Sequence, residues 1–102
     1  MTGTKLPVRI TRSAAALIRD GASWWSANRP KAPGAFAEDL RSAVELISHQ
    51  PTIGTRAASK RLQDVRRVYL SRIRYYLYYR VHVGRIEILA VWHSSRGKEP
   101  AL

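Results

Sequence analysis

Five arginines (Arg66, Arg67, Arg74, Arg80 and Arg96), two tyrosines (Tyr76 and Tyr78) and His93 fall in the C-terminal half of this sequence. These residue types suit the recognition of anions. A guanidinium grips phosphate or carboxylate through two parallel hydrogen bonds. A tyrosine ring offers a stacking surface for a base or an anchor for a protein partner. The spacing adds to this. From Arg74 to Val83 the period is two, so Arg74, Tyr76, Tyr78, Arg80 and His82 share one face of a strand. Tyr75, Leu77, Tyr79, Val81 and Val83 share the other. The first face is expected to be open, basic and aromatic, with Arg66 or Arg67 beside it.

His93 and Arg96 lie in Trp92-His93-Ser94-Ser95-Arg96, just past the last apolar run. A histidine there suits general acid or base chemistry near neutral pH, and Arg96 suits stabilisation of phosphate charge. The same spacing also suits a His93 that hydrogen-bonds the sheet edge and an Arg96 that pairs with an acid of the helices.

Other chemistries find little support. The three histidines are scattered and cysteine is absent, so no metal-ligand spacing, disulfide or thiolate site is expected. His49 falls at a helix end, where it complements the helix dipole. The acids are sparse, no glycine-rich phosphate loop is present, and Ser94-Ser95 beside His93 lacks a suggested buried acid. No cofactor is expected. Trp24 and Trp25 are neighbours on one helix and must point apart; Trp25 fits the core stripe, leaving Trp24 partly exposed as a candidate partner anchor.

The charge agrees with an anionic partner. Over 102 residues the formal net charge is +11. Residues 51–102 carry eleven basic residues against Asp64, Glu87 and Glu99; residues 1–50 carry seven against four. Such a lopsided field attracts polyanions and places the partner on the C-terminal half. No apolar run approaches the ~20 residues of a membrane span, and Met1–Val8 is too short and polar for a signal peptide, so a cytoplasmic location without membrane contact is expected.

The elements that must position these groups follow from periodicity. Residues 1–102 are expected to form one domain, with loose ends at 1–5 and 97–102. Leu6–Ile10 reads as a first strand. Ser13 offers an N-cap for a helix over Ala14–Ala27, in which Gly21 marks a close helix–helix approach. A second helix starts between Pro30 and Gly34, buries Phe36, Leu40, Ala43, Val44 and Ile47, and ends at His49-Gln50-Pro51. The stretch Thr55–Asp64 reads as irregular. Strands follow over Val65–Leu70, Arg74–Val83 and Arg85–Trp92, the last with Ile86, Ile88, Ala90 and Trp92 on one face. The expected class is α+β, strand–helix–helix–strand–strand–strand, with the helix hairpin packed on one face of an antiparallel sheet.

In this order the sequence resembles the RelE/ParE toxin superfamily of type II toxin–antitoxin systems. The resemblance runs from Val8 to about Pro100. It rests on the early Ala-rich helix, on Ile47-Ser48-His49-Gln50-Pro51-Thr52-Ile53-Gly54, on Val65-Arg66-Arg67-Val68, on Tyr78-Tyr79-Arg80-Val81 and on the ending Ile86–Arg96. It implies a toxin neutralised by a cognate, ParD-like antitoxin whose acidic C-terminal segment wraps around it. Arg66, Arg67, Arg80, His93 and Arg96 match family positions.

The superfamily has two main branches: RelE-like members cleave mRNA on the ribosome, commonly with a tail tyrosine, and ParE-like members act on DNA gyrase. No tyrosine follows Tyr79 here, so the ParE-like branch is favoured. The alternatives are a metal-independent ribosome-dependent endoribonuclease using His93, Arg96 and Arg66, and a basic nucleic-acid-binding module. Target or antitoxin contacts are expected from Arg66, Arg67, Arg74, Tyr76, Tyr78, Arg80, His93, Arg96 and Trp24.

Overall fold

The computed structural model describes residues 5–102. Its elements are β1 (Val8–Ile10), α1 (Arg12–Asn28), α2 (Ala35–His49), β2 (Thr55–Arg56), β3 (Val65–Leu70), β4 (Tyr75–His82) and β5 (Arg85–His93). They form a five-stranded sheet in the order β1-β5-β4-β3-β2. The expected α+β order and the β3–β4–β5 meander are present. The sheet is mixed rather than wholly antiparallel, because β1 runs parallel to β5, with Val8 opposite Ile86.

Local chemistry sets the boundaries. β1 starts at Val8, not Leu6: the Leu6 N–H is given to the Ser48 carbonyl of α2, and Pro7 has only a carbonyl, which accepts from Ile86. Helix α1 is capped by Thr11, not Ser13; the Thr11 hydroxyl accepts from the Ala14 N–H at 3.0 Å. Helix α2 is entered through Gly34, so neither Pro30 nor Pro33 lies in its first turn. The Trp25 indole N–H, donated to the Ala32 carbonyl at 2.7 Å, pins the linker between the helices.

Both helices cover one face of the sheet. Ala14 and Trp25 of α1 and Ala35, Phe36, Ala43 and Ile47 of α2 pack on Ile73, Tyr75, Leu77, Tyr79, Ile86, Ile88 and Val91. Gly21 is where the helices close, as its position in the stripe predicts: a Cβ there would lie 2.6 Å from Cζ of Phe36. Phe36 stands edge-on to Tyr75 with ring centroids 5.1 Å apart, fixing the start of β4 beneath the helix pair.

Three expectations fail on the other face. First, the alternation of β5 breaks. Tyr79 pairs with Ile88 but Tyr78 pairs with Ala90, so Leu89 is an extra, bulged residue. Ile86, Ile88 and Val91 therefore face the helices, while Ala90 and Trp92 face away. Second, Tyr78 is not open to solvent: it is 1% exposed, in a second cluster with Val65, Leu89 and Ala90. Third, what covers it comes from two segments read as irregular or loose. Thr55–Arg56 pairs with Arg66–Arg67 as a short edge strand, and Ala57 and Leu62 beyond it pack on the cluster. From the other side Leu102 packs on the same cluster, so residues 97–102 are not a loose end; residues 1–4 lie outside the described residues.

Candidate functional site

What remains open on that face is its end nearest the chain's last strand. There β3, β4 and β5 present residues in register: Arg67 opposite Tyr78, Tyr69 opposite Tyr76, and Tyr76 opposite Trp92. Arg67 lies over the Tyr76 ring at 4.3 Å and donates to the Tyr78 hydroxyl at 3.2 Å. That hydrogen bond is the main reason its guanidinium is held above the ordinary arginine range. Arg96 lies over the Trp92 ring at 4.0 Å. The Trp92 indole N–H is donated to the Lys98 carbonyl at 2.8 Å, which folds the tail along the rim. The result is an open groove of about 330 Å³ whose lining includes Arg67, Tyr76, Trp92, His93, Arg96 and Lys98.

His93 closes one end of this groove and opens a second hollow of about 250 Å³, shared with Trp24, Tyr75, Ser95 and Arg96. Its ring stands edge-on to Tyr75 at 5.1 Å and 6.2 Å from Trp24. The Ser95 N–H is donated to Nδ1 at 3.1 Å, so a neutral ring carries its proton on Nε2. Burial, then the charges of Arg74, Arg96 and Arg29, push the His93 pKa below the ordinary histidine value. Arg74 is itself the left-handed residue of the turn before β4, φ 62°, and its carbonyl accepts from the Ser94 N–H. Arg29 arrives from α1, stacked 5.2 Å over Trp24.

Because folding lowers this pKa, the unfolded chain binds the extra proton between the lowered value and about 6.5. Stability is therefore expected to fall as pH drops below about 6.5, and this His93 contribution should vanish in His93→Gln. Thermal melts between pH 8 and 5 check it. Equal pH slopes in the two proteins would refute the assignment.

Of the residues expected to act, the structure gathers Arg67, Tyr76, His93 and Arg96 around the groove, with Trp24 at the second hollow and Arg74 beside them, its carbonyl held by Ser94. It separates the others. Arg66 faces the helix side of β3 and gives its guanidinium to the Thr52 and Gly54 carbonyls at 3.2 and 2.8 Å. Arg80 gives Nε to the Gln63 carbonyl at 3.0 Å. Both brace loops, because a guanidinium satisfies several backbone carbonyls that the short β2 leaves unpaired. Tyr78 supports the groove from below with its hydroxyl. Trp92, Arg29 and Lys98 were not singled out as site residues; unbroken alternation would keep Trp92 on the face of Ile86 and Ile88, and only the bulge reverses it. Among the described residues no group of three His, Cys, Asp or Glu is placed to hold a metal. No described helix is long and apolar enough to cross a membrane.

The fold and this face define a small basic α+β protein with an open cationic and aromatic groove on its sheet. Comparison with known proteins places it. Residues 8–97 match the family described as the ParE toxin of the type II toxin–antitoxin system parDE. A solved structure described as a chromosomal ParDE toxin–antitoxin system from P. aeruginosa has a similar fold, with a TM-score of 0.70. The sequences are 21% identical, over 87% of this chain and 96% of that one. No curated protein sequence matches this chain. The chain belongs to the ParE toxin family of type II toxin–antitoxin systems.

Proposed function

We propose that this ParE-family toxin inhibits DNA gyrase and is held silent by a cognate, ParD-like antitoxin. The family match over residues 8–97 carries the reading. The physics agrees with it. A protein of net charge +11 is drawn to an acidic partner segment, and a segment that folds on binding can wrap a large surface and shield the groove. Purified toxin is expected to inhibit supercoiling of relaxed plasmid by gyrase, and a cognate antitoxin to restore it. Supercoiling that proceeds unchanged at toxin concentrations that arrest growth would overturn this.

A second reading, the ribosome-dependent endoribonuclease, is favoured by one observation. His93 stands at the junction of the two hollows beside Arg96, and burial and the charges of Arg74, Arg96 and Arg29 hold its pKa below the ordinary histidine value, which favours the neutral ring. A neutral imidazole can take a ribose 2′-OH proton while the guanidiniums hold the phosphate. Toeprinting on translating ribosomes separates the two. Cleavage lost in His93→Ala, with gyrase untouched by the unsubstituted toxin, would establish this second activity.

A further inference from the structure

The two hollows adjoin, because His93 and Arg96 line both, and together they make a track. Lys98, Arg67 stacked on Tyr76 and Arg96 stacked on Trp92 line it; Arg29 lies over Trp24 at its edge, and Arg74, whose carbonyl accepts from the lining residue Ser94, flanks it. None of these five cations is in an ion pair among the described residues. One acid, Glu99, lines the groove, and none lines the second hollow. Stacking on flat rings orients Arg67 and Arg96 before any ligand arrives, so less freedom is lost on binding. The Nε2–H of neutral His93 adds a donor among the arginines.

The chemistry of the track selects between polyanions. The core of a protein–protein interface is depleted of charge and built on apolar anchors. Surfaces that hold nucleic acid are far more positive, and the backbone of the ligand is gripped by arginine and lysine. Here the centre of the surface is cationic; of the exposed large apolar side chains Trp24 alone lines a hollow, the second, where Arg29 covers its ring, and Ile10, Leu46, Ile53, Tyr69 and Val83 line neither. We propose that this face binds the phosphodiester backbone of duplex DNA, so that the toxin grips the DNA carried by its target as well as the target itself. The proposal rests on the gyrase reading for its biological setting, and on the track alone for the contact.

The test is fluorescence anisotropy of a labelled DNA duplex titrated with the full chain over a range of salt concentrations. Arg74→Ala/Arg96→Ala is compared with Arg19→Ala/Arg41→Ala, which removes the same charge from the exposed side of the helix layer. The first double variant is expected to bind about tenfold more weakly and to reduce the salt slope by about two, roughly 0.9 for each lost phosphate contact. The second is expected to stay within about twofold of the unsubstituted chain. Circular dichroism melts check that both remain folded. Equal losses in the two variants would overturn the proposal, because the binding would then follow net charge and not this track. So would Arg74→Ala/Arg96→Ala losing gyrase inhibition with DNA affinity unchanged, which would assign the face to an acidic protein segment. If the unsubstituted toxin binds DNA as expected yet leaves gyrase active, the DNA contact stands and the gyrase reading fails.

Discussion

Tyr79→Phe is expected to lower the free energy of unfolding by about 2–3 kcal/mol, although it removes one oxygen atom. Tyr79 is fully buried under the helices. Its hydroxyl accepts the Gly54 N–H at 2.9 Å and donates to the Pro51 carbonyl at 2.7 Å. Burial holds it protonated, pushing its pKa above the ordinary tyrosine value. Without the oxygen a buried N–H and a carbonyl both lose their partner, and each orphan costs more than a hydrogen bond normally contributes. Water cannot replace it, since a vacancy the size of one hydroxyl is too small to hold a water molecule. The gain from a more apolar ring is smaller, because the ring itself is already buried. The turn at 51–54 also supplies the carbonyls that hold Arg66, so its loosening should propagate to the β2–β3 edge. Urea denaturation with an unchanged m-value checks this. A change below about 0.5 kcal/mol would show that the turn is held by other contacts.

This contact also marks how far the sequence could be read. The β3 strand, Val65–Leu70, was legible to the residue, because its apolar and basic residues sit between a polar stretch and a turn. The helix hairpin and its glycine were legible from the stripes they carry. The β5 bulge was not. In Ile88-Leu89-Ala90-Val91 every residue is apolar, so a period-two pattern holds no information about which face each one takes. Once Leu89 bulges, Trp92 leaves the face it was expected to share with Ile86 and Ile88 and enters the groove. Tyr78 failed for a related reason: a tyrosine suits a wet or a buried face equally, and burial was decided by Leu62 and Leu102 arriving from distant segments. Arg66 and Arg80 are expected at the site from their charge, their strand spacing and their match to family positions. Their guanidiniums are taken by the carbonyls of Thr52, Gly54 and Gln63, contacts that only the folded loops create. The meeting of Trp24 with His93 is likewise a product of topology, since α1 must cross β5 to bring them together.

Trp92 carries the largest expected functional effect. Its ring is the plate on which Arg96 rests, and its N–H holds the tail through the Lys98 carbonyl. The cation–π contact is worth about 0.5–2 kcal/mol and the hydrogen bond about 1 kcal/mol. Trp92→Ala removes both, and the proposed gyrase inhibition is expected to weaken by about tenfold to a hundredfold, each 1.4 kcal/mol being tenfold. Most of the apolar core lies on the opposite face, so the helices and sheet should persist, as a far-ultraviolet spectrum would show. Trp92→Phe separates the two roles. A phenyl ring still offers Arg96 a face, but no N–H for Lys98. This variant is expected to lose about fivefold in inhibition or less, since one neutral hydrogen bond is at stake, and to expose residues 97–102 to faster amide exchange. Inhibition by Trp92→Ala equal to that of the unsubstituted toxin would remove Arg96 and its plate from the recognition surface. A Trp92→Phe as weak as Trp92→Ala would instead assign the whole effect to the tail, because the aromatic plate would have survived without preserving activity.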